Sequence, residues 1–425
     1  MKPSFAPVLI FVLSYALFVI LPRWRTATAC AGGVLMVLSG SLTWRVALLE
    51  KIHWNVVALF FGTLVLAELF MQSRMPAVLA EALVRRTRTV RGAMLAVCAL
   101  AGFLSIFVEN VAVVLLVAPV ALSLADRLKI SPVRLLLCIA VCTNLQGTAT
   151  LIGDPPSMIL AGYLKLNFND FFVYGGRLGI FFAVQAGALA ALVVVAWLLR
   201  AHREAAAAVA QEKVRAWAPT GLLLILVAGL SLTSVADPEF KWLAGTLTLV
   251  LAGSGLAWYR LGPHWTPVRD VIRTLDWDTT FFLMGVFVLV GGMTDSGWLD
   301  RLAAWLSGVV GQRLFAAYTV VVLASVFISA FVDNVPFLLA MIPVVQKMAD
   351  SLGAPVPLLM YGLLIGACLG GNITPVGASA NVVTVGLLKK RGYVVHFGEF
   401  MSVGVPFTMA AVVAASALVW WIWAP

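Results

Sequence analysis

Two acid–amide pairs, Glu109-Asn110 and Asp333-Asn334, lie 224 residues apart inside strongly apolar sequence. A carboxylate at mid-membrane depth costs at least about 2.5 kcal/mol on insertion scales, so it normally has a partner or a task. Side by side, an acid and an amide offer oxygen atoms to a proton, a hard cation or a hydroxylated solute. The same acids would also suit the start of a following helix, where they cap unpaired N–H groups. A second duplicated feature accompanies each pair. The stretch 143–157 places Asn144, Gly147, Thr148, Thr150, Gly153 and Asp154 together, and the stretch 370–381 places Gly371, Asn372, Thr374, Gly377, Ser379 and Asn381 together. Gly147, Thr150 and Gly153 fall on Gly371, Thr374 and Gly377 at the same 224-residue offset. Glycine permits non-helical dihedrals and proline removes a donor, so both stretches predict an unwound helix. Freed carbonyls and Thr, Ser and Asn oxygens there can bind an ion, and the half-helix that follows attracts negative groups.

Coupling to protons needs a carboxyl that loads and releases. Asp333 ranks first, because Pro336 removes a donor that would otherwise fix its charge; Glu109 follows. Asp154 is third. Its counterpart is Ala378, and it either titrates or caps the helix starting at Pro155-Pro156. Glu68, in an apolar run, is a weaker relay candidate. The cysteines and the four histidines fall in no zinc-like spacing, and no metal site is expected.

These residues have to be positioned by a membrane fold. The chain is 62% hydrophobic and 11% charged, with a mean hydropathy of +1.01. A soluble protein of 425 residues could not bury that much apolar surface. Apolar segments near 5–21, 28–43, 54–71, 133–163 and 175–199 have spanning length, as do those near 217–235, 241–259, 277–293, 357–388 and 402–423. Segments 133–163 and 357–388 carry the breaks. Residues 75–89 and 297–310 read as amphipathic interfacial arms. Residues 92–126 and 313–350 read as re-entrant hairpins with the acid–amide pairs at their tips. The expected fold is an all-α polytopic membrane protein of two inverted repeats. Each repeat has five transmembrane helices and one hairpin, which makes ten crossings in all. Repeat 1 covers 1–199, a cytoplasmic linker 200–216, and repeat 2 217–425.

Charge sets the orientation. An odd number of crossings per repeat puts 20 of the 29 Lys and Arg on one face, which should be cytoplasmic, with both termini outside. The net charge of +10 is accounted for by that bias, and no nucleic-acid partner is implied. Residues 5–21 lack a small-residue cleavage site and are expected to be a retained helix. No phosphate-binding loop of the G-x-x-x-x-G-K-[ST] form is present, so this chain is not expected to couple to ATP directly, although a separate ATPase subunit remains compatible with it.

At 147–156, 331–336 and 371–381 the chain resembles the ion transporter superfamily. That group includes arsenite permeases, the melanosomal P protein, sodium/proton antiporters, and dicarboxylate and citrate carriers. The resemblance implies inverted repeats, ten crossings and two hairpins. It also implies a scaffold built from the early helices and a mobile body of hairpins and broken helices, often in a homodimer moving as an elevator. Carboxylate carriers of the group have Ser-Asn-Thr at the tips. Here the tips are Glu109-Asn110-Val111 and Asp333-Asn334-Val335, whose negative charge opposes a dianionic substrate. The expected activity is therefore secondary active transport, not enzymatic, in a bacterial inner membrane. Its leading form is proton-coupled efflux of a small inorganic solute of the arsenite or antimonite type. Sodium/proton antiport and sodium-coupled uptake of a di- or tricarboxylate such as citrate are the alternatives. No cofactor is expected, and the coupling ion is H+ or Na+.

Overall fold

The computed structural model describes residues 5–128, 130–201, 213–262, 267–310 and 313–425. Most of the expected linker 200–216 lies outside the described residues, as do Lys2, Lys129 and Arg203 from the charge count. The fold is built from helices. The first half runs through Ala6–Ile20, Arg25–Leu38, Trp54–Gln72 and the arm Met75–Arg85, then the hairpin arms Val90–Ser105 and Asn110–Leu128. Two half-helices, Val133–Gly147 and Pro155–Leu164, and the helix Ile180–Leu198 complete it. The second half follows the same order. Ala218–Ala236, Leu243–Leu261, Trp277–Asp295 and the arm Trp298–Val310 lead to the hairpin arms Leu314–Ser329 and Asn334–Leu352. Half-helices Val356–Gly370 and Ser379–Lys390 and the helix Phe397–Trp423 finish the chain.

The four hairpin arms begin at positions 224 residues apart and have equal lengths, 16 residues for the first arms and 19 for the second. Local sequence explains their ends. Thr89 caps the first arm, its hydroxyl accepting from Gly92 N–H at 3.1 Å. Pro119 and Pro343 lie inside the second arms, where each removes one backbone donor. The arm Met75–Arg85 buries Pro76, Ala80 and Val84, spaced to fall on one stripe.

Two of the expected segments are displaced. The one near 28–43 is Arg25–Leu38. It stops early because Gly40, at φ +73°, turns the chain back, with the N–H groups of Ser41 and Gly40 bonding to Met36 and Val37 carbonyls. The segment near 175–199 begins only at Ile180, because Gly175 and Gly176 have positive φ and close a two-stranded ribbon of Val173–Tyr174 and Arg177–Leu178. A short helix, Val268–Thr274, precedes Trp277–Asp295 and was not foreseen.

Packing sorts the helices into two bodies. In one, Arg25–Leu38 lies along Trp277–Asp295 and Leu243–Leu261 lies along Trp54–Gln72, so the early helices of the two halves interlock. In the other, each hairpin packs on the broken helix of its own half, and Ile180–Leu198 lies along Phe397–Trp423. The window Val356–Ile373 is 83% buried, whereas Ala218–Ala236 is 28% buried. The broken helices therefore form the centre, and the outer helices show apolar faces suited to lipid. Eight described helices are long and apolar enough to cross a membrane, among them the second arm of each hairpin.

Candidate functional site

Each hairpin tip is seated on the break of its own half. The Thr150 hydroxyl donates to the Ile106 carbonyl in the first tip, and the Thr374 hydroxyl donates to the Ala330 carbonyl in the second. Ser105 donates to Asn110 Oδ1 at 2.6 Å, and Ser329 donates to the Ala367 carbonyl. The two breaks are also joined to each other. Asn144 Nδ2 donates to Asn372 Oδ1 at 2.8 Å and to Asn381 Oδ1 at 3.0 Å. Asn381 Nδ2 in turn donates to the Gly371 and Thr374 carbonyls at 2.9 and 3.0 Å. Thr148 donates to the Asn144 carbonyl at 3.2 Å. Of the residues expected to bind solute or ion, Asn144, Thr148, Thr150, Asn372, Thr374 and Asn381 thus hydrogen-bond within and between tips and breaks, and Asn144 also lines the cavity described next. Gly147, Gly153, Gly371 and Gly377 are buried at the same contacts. Replacing Asn144 by Ala should strip two buried amide oxygens of their donor and lower stability by about 1–3 kcal/mol, read as a fall in the thermal unfolding temperature in detergent.

The remaining candidates converge. Glu109, Asn110, Asp154, Asp333, Asn334 and Ser379 line one cavity of about 40 Å³ between the two tips. Such a space holds one or two water-sized groups. Arg25, Asp276 and Thr279, from the body of early helices, close its remaining side. None of these three was foreseen. Arg25 is one of the 20 Lys and Arg that the charge bias assigns to the cytoplasmic face, and the signal that could have found Asp276 is its place before an apolar run, as a helix cap. It accepts from Thr279 N–H at 2.9 Å. Glu68 does not line the cavity: it accepts from Gln72 at 2.8 Å within its own helix.

The carboxyls differ in their partners. Asp333 accepts from Arg25 Nη1 at 2.7 Å and from Val335 N–H at 3.0 Å, so it is both ion-paired and a helix cap. Glu109 accepts from Ala112 N–H at 3.0 Å. Asp154 is 6% exposed, and its Oδ2 has no hydrogen-bond partner. It precedes Pro155-Pro156, whose nitrogens carry no N–H, and makes no side-chain cap; the Ser157 N–H donates to its backbone carbonyl instead, at 3.1 Å. A buried oxygen left unpartnered is costly, and either a proton or a cation would meet it. Asp333 already has its counter-charge, and Asp154 has none.

A second chamber, of about 300 Å³, adjoins the first and shares Arg25, Phe282, Asp333 and Ser379 with it. Its other walls are apolar: Phe18, Phe331, Val332, Pro336, Val376, Val382 and Val383. Four cysteines are buried, Cys30 is exposed, and all five are free thiols. Among the described residues no group of three or more His, Cys, Asp or Glu is arranged to hold a metal ion.

Comparisons with known proteins place the chain among transporters. The chain is similar to an uncharacterized transporter of Mycobacterium tuberculosis, 28% identical over 98% of both chains. It is also similar to the human P protein, 25% identical over 93% of this chain and 57% of that protein. Among solved structures, the YdaH transporter of Alcanivorax borkumensis superimposes with a TM-score of 0.61 at 17% identity, covering 98% of each chain. MtrF of Neisseria gonorrhoeae does so at 0.59 and 14% identity, covering 98% of this chain and 95% of its own. These likenesses establish a transporter fold. A family model described as citrate transporter matches residues 15–360 and again 246–425. The chain is a multi-pass membrane transporter, not an enzyme, and it belongs to the CitMHS family within the ion transporter superfamily.

Proposed function

We propose that this chain is a proton-coupled secondary transporter whose coupling site is the cavity between the two hairpin tips. The observation that carries the reading is the buried, unpartnered Oδ2 of Asp154 in a cavity that also gathers Glu109 and Asp333. Loading a proton there neutralises a charge that the dry site supports poorly, and releasing it restores that charge. Alternation is an elevator-like displacement of the hairpin body against the early helices, supported by the division of the packing into two bodies. The small volume of the cavity favours a small solute. Efflux of a neutral trihydroxy metalloid of the arsenite or antimonite type fits hydrogen-bonding groups of this kind, and sodium/proton exchange would use the same oxygens.

One observation favours a second reading. Arg25 faces a chamber large enough for an organic acid, and the family model is described as citrate transporter. A citrate-like solute would occupy that chamber and take Arg25 as its counter-charge. Flux in proteoliposomes decides between them. A pH gradient should drive accumulation of arsenite, exchange of sodium, or accumulation of citrate. Absence of any gradient-driven flux with all three would remove the proton-coupled reading for these solutes.

The same reading includes an orientation in the inner membrane, with residues 127–134 cytoplasmic and 351–356 outside, from the 20-to-9 split of Lys and Arg. Cysteines placed at 351 and 131 separate the cases: an impermeant maleimide added outside intact cells should reach the first and miss the second. The opposite pattern would invert the topology.

A further inference from the structure

The cavity is rich in acid and has a single cation. Glu109, Asp154, Asp276 and Asp333 line it, Asp278 sits against Arg25, and Arg25 is the only Lys or Arg among the lining residues. Arg25 belongs to the body of early helices, whereas Asp333 belongs to a hairpin tip. The pair therefore bridges the two parts that must separate for the site to alternate. Its Nη1–Oδ2 distance is 2.7 Å, and the side chains are 23% and 27% exposed. Arg25 is also held from its own body. Its Nε donates to Asp278 at 3.4 Å, its Nη2 donates to Thr279 at 3.3 Å, and its guanidinium lies 5.2 Å from the Phe282 ring centroid. It would stay in place if the tip left. Tyr15, from the first helix, donates to the Pro336 carbonyl at 2.7 Å and marks the same interface. The first tip has no equivalent pair: among the described residues Glu109 makes no ion pair and accepts from the Ala112 N–H at 3.0 Å.

We propose that Arg25 is a tethered counter-ion. In this conformation it supplies the positive charge that Asp333 would otherwise have to take from solution, so the second tip can dock without a bound cation. The assignment rests on the coupling-site reading above. It predicts that docking becomes dependent on dissolved cations when Arg25 is neutralised. The groups facing Asp333 from the neighbouring elements are Arg25, Asp276, Asp278, Glu109 and Asp154, of which the four acids all oppose an uncompensated carboxylate.

The test needs no knowledge of the solute. Val376 lines the large chamber and is 57% exposed in this conformation. The rate at which a cysteine at 376 reacts with a maleimide, in a Cys30→Ala background, reports how often the tip is docked this way. Maleimide reacts with the thiolate, so each rate is divided by that of a free cysteine at the same pH; with Arg25 present this ratio should stay flat when protons or sodium ions are titrated. With Arg25→Gln it should fall about tenfold at low cation concentration and recover as either cation is added, the modest factor reflecting a half-exposed pair. Adding Asp333→Asn should make the rate flat again, since no charge is left to compensate, and Arg25→Lys should behave as the parent. A flat Arg25→Gln profile, or cation dependence that survives Asp333→Asn, overturns the proposal. If Arg25→Gln cannot be recovered folded, recovery of the Arg25→Gln/Asp333→Asn protein supports the assignment, and failure of both reduces Arg25 to packing. Flat profiles combined with intact proton-driven flux would refute the counter-ion and leave the coupling site standing.

Discussion

Asp154→Asn should remove transport driven by a pH gradient while leaving solute exchange between loaded faces. Asparagine keeps the shape of the side chain and can donate from its amide, but it cannot give up a proton. The expected loss in gradient-driven accumulation is on the order of a hundredfold, towards the upper range of coupling between linked sites. The argument is one of partners. Asp333 has Arg25 at 2.7 Å and a backbone N–H at 3.0 Å, and Glu109 has the Ala112 N–H at 3.0 Å. Asp154 has only the neutral Asn110 amide beside it, and its Oδ2 has no partner. The measurement is uptake into proteoliposomes under an imposed pH gradient, beside counterflow without one. If Asp154→Asn still concentrates solute and Asp333→Asn does not, the proton resides on the second tip, and the ordering suggested by Pro336 stands after all. If both variants retain gradient-driven uptake, Glu109→Gln becomes the decisive variant.

The tips and breaks were legible in the sequence because polar, Gly- and Pro-rich stretches are conspicuous inside apolar runs, and their duplication at one offset pointed to a common geometry. What each polar side chain faces was not legible. Asn144, Asn372 and Asn381 have the composition of a ligand set, yet they bind one another, because an amide satisfies a second amide as readily as it satisfies an ion. Arg25, Asp276 and Asp278 were hidden for the opposite reason. They sit at helix ends, where charge is ordinary, and only the meeting of Arg25 with Asp278, 253 residues on, and with the second hairpin tip at Asp333, 308 residues on, makes them part of a site. For Asp154 the sequence leaves capping and titration open, because Ser157 still offers an N–H at the third helical position; the structure shows no side-chain cap there.

The seat of the tips is where a single methyl group should do the most damage. A Cβ at Gly153 would meet the Gly147 carbonyl oxygen and, at 2.7 Å, the Ser105 carbonyl oxygen; at Gly377 it would lie 2.6 Å from the Gly371 oxygen and 2.9 Å from the Ala330 oxygen. Every obstacle is backbone, so no side-chain rotation relieves it. The same collision in both halves follows from the same construction, a tip carbonyl and a break carbonyl enclosing one hydrogen-sized space. Gly153→Ala and Gly377→Ala should each cost about 3 kcal/mol, at the upper end for overpacked sites. Each should also push its hairpin tip off the break that holds it. Gly386→Ala and Gly253→Ala, where a Cβ would meet nothing within 4 Å, should leave stability unchanged or raise it by a few tenths of a kcal/mol through better helix propensity. Thermal unfolding in detergent, followed with transport in proteoliposomes, separates the two classes. If Gly153→Ala and Gly377→Ala unfold and transport like the two controls, then the tips are not clamped by the breaks, and the cavity between them has no fixed geometry on which a proton site could depend.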